Sequence, residues 1–195
     1  MITGKHVRLR AIEENDLLTL TNWRNDPEVY RQFFEYEPLS LVMERKWFDE
    51  FLKRREEKFW IAETIKESKP VGTIGLVNIH WRNRRAEMGR VLVCPECRGN
   101  GYGKEMSELL LEYAFDHMNL NRIYLEVFAD NTRAVSLYKS LGFLEEGLLR
   151  EHVFADGRYC DVSILGILRE EYLAASRQIQ DSSVRSDSSN SEIKK

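Results

Sequence analysis

Apolar and polar residues alternate from Val7 to Ala11, the period of a half-buried strand. Asn15 and Asp16 then open a helical stretch that runs through Trp23. Asn25-Asp26-Pro27-Glu28 breaks it, because a residue before proline is biased out of the helical region. Val29 to Ser40 is rich in rings (Tyr30, Phe33, Phe34, Tyr36) and reads as a short helix and a loop that also carries Glu35 and Glu37. From Glu44 to Lys58, Trp47, Phe48, Phe51 and Leu52 recur at helical spacing among charges, which predicts an amphipathic helix. Strands follow at Phe59–Thr64, Val71–His80 and Arg85–Val93, separated by turns at Ser68-Lys69-Pro70 and Asn83.

Beyond these strands, Met106, Leu109, Leu110, Tyr113 and Ala114 share one helical face between Gly101 and Met118. Arg122 to Phe128 reads as a strand, and Thr132 to Leu141 as a helix closed by Gly142 in the position that commonly follows a helix end. Three further strands are predicted at Phe143–Leu149, Glu151–Phe154 and Arg158–Leu168, the last two joined by an Asp156-Gly157 hairpin turn. After Leu173 the residues become small and polar, with six serines between Asp181 and Lys195. The pattern therefore predicts one α/β domain over residues 1–175 and a disordered serine-rich tail over 176–195.

Composition narrows the picture. A 43% hydrophobic, 11% aromatic chain of 195 residues can bury a sizeable core. A formal charge of -3 gives no global pull toward nucleic acid, and none is expected as a partner. The first residues form no signal-peptide core and no apolar run reaches membrane-spanning length, so a cytoplasmic protein with no membrane contact is expected. Three cysteines, an odd number, argue against a disulfide framework. Cys94-Pro95-Glu96-Cys97 has the spacing of half a zinc site, but no second pair exists and the four histidines show no ligand spacing, so no metal is expected.

The strongest chemical signal is Arg98-Gly99-Asn100-Gly101-Tyr102-Gly103, lying between an apolar strand and an amphipathic helix. Glycines let the backbone approach a ligand, and the free amides and dipole of a helix start attract an anion. A dinucleotide fold wants this turn after its first strand, with an acidic partner about 20 residues on. A triphosphate loop wants a lysine that is absent here. Another diphosphate cofactor remains, as does a merely structural turn.

With these residues in view, the sequence resembles the GCN5-related N-acetyltransferase family. That family's loop hallmark is met by Arg98, Gly101 and Gly103, and a second hallmark by Asn131, Ala134, Leu137, Tyr138, Leu141, Gly142 and Phe143. Arg84-Arg85-Ala86-Glu87, Glu146-Gly147 and Arg150-Glu151 are similar to its ribosomal-protein and spermidine acetyltransferase branch. The resemblance implies a mixed central sheet of about six or seven strands flanked by helices, splayed between the fourth and fifth. It implies acetyl-CoA as co-substrate, held by the loop residues Arg98, Gly99, Asn100, Gly101, Tyr102 and Gly103. Val91 and Val93 would lie along its pantetheine arm, with Asn131, Arg133 and Tyr138 opposite. The acetyl group would pass directly to a primary amine: a protein N-terminus of the ribosomal type or a small amine. Spermidine or another polyamine, or an amino sugar, are the alternatives. A homodimer is common in the branch.

Tyr138 is the candidate acid for the departing thiolate, since a phenol near pKa 10 stays protonated at neutral pH; otherwise it packs on the inner face of its helix. Glu126 and Glu87 are acids in apolar strands, costly to bury without purpose. Glu126 is the candidate base and Glu87 a group that orients the acceptor, unless both face solvent or pair with arginines. Glu35 and Glu37, among the rings of Phe33 to Tyr36, could hold an organic cation. A non-catalytic acyl-CoA-binding module and an RNA-associated protein are the readings from other classes.

Overall fold

The structure, a computed structural model, describes residues 1–34 and 37–175. The strands are β1 (Ile2–Thr3), β2 (Val7–Ala11), β3 (Lys58–Thr64), β4 (Pro70–His80), β5 (Arg85–Val93), β6 (Arg122–Phe128), β7 (Leu144–Ala155) and β8 (Arg158–Leu168). The helices are α1 (Leu17–Asn25), α2 (Pro27–Tyr30), α3 (Leu41–Phe51), α4 (Tyr102–Glu112) and α5 (Thr132–Ser140), and residues 169–175 are also helical. One sheet runs β1-β2-β3-β4-β5-β6-β8-β7. Neighbours pair antiparallel except β5 and β6, which are parallel.

Alternation along β2 sets up both faces. Val7 and Leu9 point into the core. Arg8 and Arg10 point the other way and grip the buried Glu63 carboxylate at 2.7 Å each. Arg10 also holds both oxygens of Asp16 at 2.7 Å, while the Glu13 amide donates to Asp16 at 2.8 Å. Buried charges are tolerable only when paired this completely. The main core packs Met106 and Leu110 of α4 and the nearby Phe115 on Leu76, Ile123 and Leu125 of the sheet. A smaller core sets α1 and α3 on the opposite face, around Leu20, Phe59 and Ile61.

Several boundaries differ from the sequence expectations. Helix α3 starts at Leu41, since the Ser40 hydroxyl accepts from the Met43 amide at 3.2 Å and supplies the N-cap. It ends at Phe51, before a turn in which Arg54 pairs with Glu50 and Glu57. The segments expected at Phe143–Leu149 and Glu151–Phe154 are a single strand, β7. A bulge between Leu149 and Val153 kinks it, with Glu151 at φ 52° and its amide donating to Asp161. With the short β1 the sheet has eight strands rather than six or seven. Cys94 and Cys97 are bonded to each other, against the expectation of no disulfide, because the Pro95–Cys97 turn brings their Cα atoms to 5.3 Å; Cys160 is free.

The feature that positions the site is the splay. Pairing of β5 with β6 covers only Arg85, Ala86 and Glu87 against Arg122, Ile123 and Tyr124. Beyond Glu87 the two strands diverge, at the position the sequence resemblance implied.

Candidate active site

Past the splay, Arg90 and Val91 fall between the paired positions of β4 and β5 and have no β6 partner. Arg90 takes a left-handed φ of 55°, and the Thr73 hydroxyl donates to its carbonyl at 2.7 Å, fixing the bulge. Farther on, β5 ends at Val93 and the chain turns into α4. Gly99 and Gly101 take φ values of 85° and 79°, with Gly101 at the N-cap. A Cβ at either would meet nothing within 4 Å. Glycine is needed here for the backbone conformation, not for space.

A cavity of about 540 Å³ lies in the gap between β5 and α5. Val91 and Val93 line it from the strand, and Arg98, Gly99, Gly101, Tyr102 and Gly103 from the loop. Arg133 and Tyr138 line it from α5, and Asn131 from the N-cap of that helix. Asn100 does not; its amide turns back to donate to the Cys97 carbonyl at 3.0 Å and braces the loop. Arg98 is tied to α2, donating to the Glu28 carboxylate at 3.0 Å and to the Glu28 carbonyl at 3.2 Å. Arg31, Gln32 and Lys104 also reach the cavity and had no signal in the sequence. A helix start with two left-handed glycines, flanking cations and an apolar strand wall matches a diphosphate on an apolar arm.

A second cavity, about 290 Å³, shares Val91, Asn131, Ala134 and Tyr138 with the first. Glu87 and Glu126 stand in it with Phe33, Phe34, Arg24 and Arg90. Tyr138 thus lies where the two meet. Asn131 caps α5, its side chain accepting from the Ala134 amide at 3.1 Å, and Tyr138 packs edge-on against Phe143. The ring is 8% exposed. Burial pushes its phenol up to about 12, which keeps the proton on oxygen.

Glu87 is half-buried. Burial raises its pKa and the Glu126 charge adds to that, while hydrogen bonds from Asn78, at 2.8 Å, and Tyr124 oppose it. Asn78 reaches Glu87 from a bulge in β4, where it takes a φ of 52°. Neither Asn78 nor Tyr124 was legible as part of the site, since a bulge and a cross-strand hydrogen bond leave no periodic trace. Glu37 is exposed and lines neither cavity, and Glu35 lies outside the described residues. No cluster of metal-ligating side chains occurs among the described residues.

Residues 6–144 match the acetyltransferase (GNAT) domain family. Spermidine N(1)-acetyltransferase from Vibrio cholerae is 33% identical over 170 residues, 87% of this chain and 97% of the relative. The crystal structure of spermidine N-acetyltransferase from Vibrio cholerae in complex with CoA and spermine has a TM-score of 0.81 at 33% identity, covering 86% of this chain and 98% of that one. A dodecameric structure of the same relative, in an intermediate state, has a TM-score of 0.77 at 32% identity over 87% and 98% of the two chains.

Proposed function

The chain belongs to the GNAT acetyltransferase family, and from that premise we propose that it acetylates a primary amine of a polyamine of the spermidine class. It is an acetyl-CoA-dependent N-acetyltransferase acting on an amine acceptor. The observation that carries the acceptor reading is the second cavity: two carboxylates and two phenylalanine rings beside Tyr138. Acids and ring faces suit ammonium groups strung on methylenes. A peptide N-terminus, named from sequence alongside a small amine, would want an open groove with backbone partners. The spermidine acetyltransferases that match most of the chain also favour the polyamine alternative.

Acetyl-CoA supplies the acetyl group as a thioester. Gly99, Gly101 and the first turn of α4 hold its diphosphate, with Lys104 and Arg133 adding positive charge. Val91 and Val93 line the arm. In the acceptor cavity Glu87 takes a proton from the bound ammonium, directly or through a water. Burial raises its proton affinity, so we assign the base role, given to Glu126 from sequence, to Glu87 instead, and the orienting role to Glu126. The freed amine forms a bond to the acetyl carbon as the carbon–sulfur bond breaks. Tyr138 gives its proton to the departing sulfur, and the phenolate takes back the second proton of the new amide nitrogen, so the products are the N-acetylated amine and free CoA, with the first proton on Glu87 released to water.

Among the described residues no helix is long and apolar enough to cross a membrane. We place the enzyme in the cytoplasm, where acetyl-CoA is made available to soluble enzymes. Self-association is assigned to the β7–β8 edge, where Leu148, Phe154 and Tyr159 are exposed. An acceptor screen that follows thiol release tests the function. Turnover of spermidine above amino sugars and peptides beginning with Ser or Ala is expected. Turnover of the peptides alone would refute it.

A further inference from the structure

At the β5 bulge the Arg90 side chain leaves the sheet toward α3 and enters a compartment walled by rings. Its guanidinium carbon lies 5.1 Å from the centre of the Trp47 ring and 5.9 Å from that of Phe59. Glu57 pairs with it at 3.5 Å. The charge of Glu44, a residue only 8% exposed, also acts on it. Ring faces with two carboxylates form the recognition chemistry of an organic cation. Here the chain's own guanidinium supplies that cation. A cavity of about 20 Å³ remains beside it, hardly more than one water occupies.

This compartment opens onto the acceptor site. Arg24, Phe33 and Arg90 line both it and the cavity that holds Glu87 and Glu126. Arg90 therefore stands at the partition between them. Burial opposes its charge, and Glu57 and Glu44 counter that; burial likewise raises the Glu44 carboxyl. Guanidinium is more weakly hydrated than ammonium, which makes arginine the internal cation least costly to hold there.

We propose that Arg90 is a specificity-determining residue: an internal cation that fills an aromatic and acidic cage and so denies it to a second ammonium of the acceptor. The proposal rests on the polyamine reading above. With Arg90 in place, the distal charges of a polyamine lie toward the open mouth of the cleft. With Arg90 removed, the cage becomes a subsite continuous with the acceptor cavity, and a polyamine can place one ammonium beside Glu87 and another beside Trp47.

The test has two arms, both on the full chain. In the first, Arg90→Ala and wild type are melted with millimolar methylguanidinium chloride, with sodium chloride as the ionic-strength control. Methylguanidinium is expected to raise the melting temperature of Arg90→Ala by several degrees and to leave wild type unmoved. Equal responses would overturn the cage. In the second, kcat/KM is measured for spermidine and for butylamine. Arg90→Ala is expected to raise the spermidine-to-butylamine ratio about tenfold, mostly through KM, as about 1.4 kcal/mol of new binding would give. An unchanged ratio in the folded variant would overturn the specificity role. Should Arg90→Ala fail to fold, Arg90→Gln removes the charge while filling much of the space. It is expected to raise the ratio about threefold, and no rise overturns the proposal. If wild type turns over no polyamine, the polyamine reading falls, and the methylguanidinium arm still tests the cage because it needs no acceptor.

Discussion

Removing one oxygen from Tyr138 separates packing from proton donation. The ring is buried and meets Phe143 at 5.9 Å between centroids. Phenylalanine keeps that contact, so Tyr138→Phe should change folding stability by less than about 1 kcal/mol. The phenol is pushed up to about 12 by burial, so at neutral pH almost every molecule holds the proton. General acid catalysis contributes about 10²–10⁴-fold in rate, or about 2.7–5.4 kcal/mol. A donor near 12 facing a thiolate of lower proton affinity is a reluctant one, so the loss belongs at the lower end, about 10²-fold in kcat. The assay is thiol release at saturating acetyl-CoA and acceptor, with cofactor affinity measured separately by calorimetry. A kcat within threefold of wild type would show that Tyr138 only packs. A weakened cofactor affinity with kcat intact would make it a binding residue. Since the phenol titrates only near 12, Tyr138 causes no alkaline fall in kcat below about pH 11.

The Glu126 charge raises the Glu87 pKa, so Glu126→Gln should shift the acid limb of the kcat/KM profile to lower pH, and an unmoved limb would show the pair to be uncoupled. Gly101→Ala places a side chain at φ 79° where a Cβ meets nothing, so the cost is backbone strain, about 1–2 kcal/mol. It should lower the melting temperature and weaken acetyl-CoA binding about tenfold, and unchanged affinity by titration would remove the loop from the diphosphate site. Glu63→Gln leaves Arg8 and Arg10 without their shared carboxylate and should destabilise the fold by about 3 kcal/mol, measured by denaturant melts. Burial works against the charge of Glu63 and of Asp16, but hydrogen bonds from Arg10 and, for Glu63, Arg8 hold both pKa values low. Their stabilisation is present above the ordinary carboxylate range and lost as pH falls through the lowered values, so Glu63→Gln should flatten the acid dependence of the melting temperature.

The donor half of the site was readable because its parts are local. A strand, two closely spaced glycines and a capped helix carry their own periodicity and their own turn chemistry, and Asn131 caps α5 within four residues of the start it marks. The acceptor half is assembled across distance. Phe33 and Phe34 reach Glu126 and Tyr138 only through the fold, and Arg98 finds Glu28 seventy positions away. Bulges were also invisible. Arg90, Asn78 and Glu151 are not glycines, yet each takes a positive φ; at Arg90 and Glu151 a distant side chain holds the backbone, the Thr73 hydroxyl on the Arg90 carbonyl and the Asp161 carboxylate on the Glu151 amide. The start of α3 was within reach of the sequence, because Ser40 is a good N-cap, but the ring-rich segment before it drew the boundary later.

The β5 bulge explains how one strand can serve both substrates. Parallel pairing with β6 stops at Glu87, and from there β5 keeps its alternation with no neighbour on that side. Val91 and Val93 then line the cofactor cavity, while Arg90 and Leu92 line the cage under α3. Successive side chains on a strand face opposite ways, so neighbouring residues along Arg90–Val93 address different ligands. A change at Val93 acts on the arm of acetyl-CoA, a change at Val91 acts where the two cavities meet, and a change at Arg90 acts on the acceptor. The clamp from Thr73 to Arg90 holds both sets in register, because it fixes the backbone from which they diverge. In this arrangement the acceptor range can be altered at one position of β5 without disturbing the donor site one residue away.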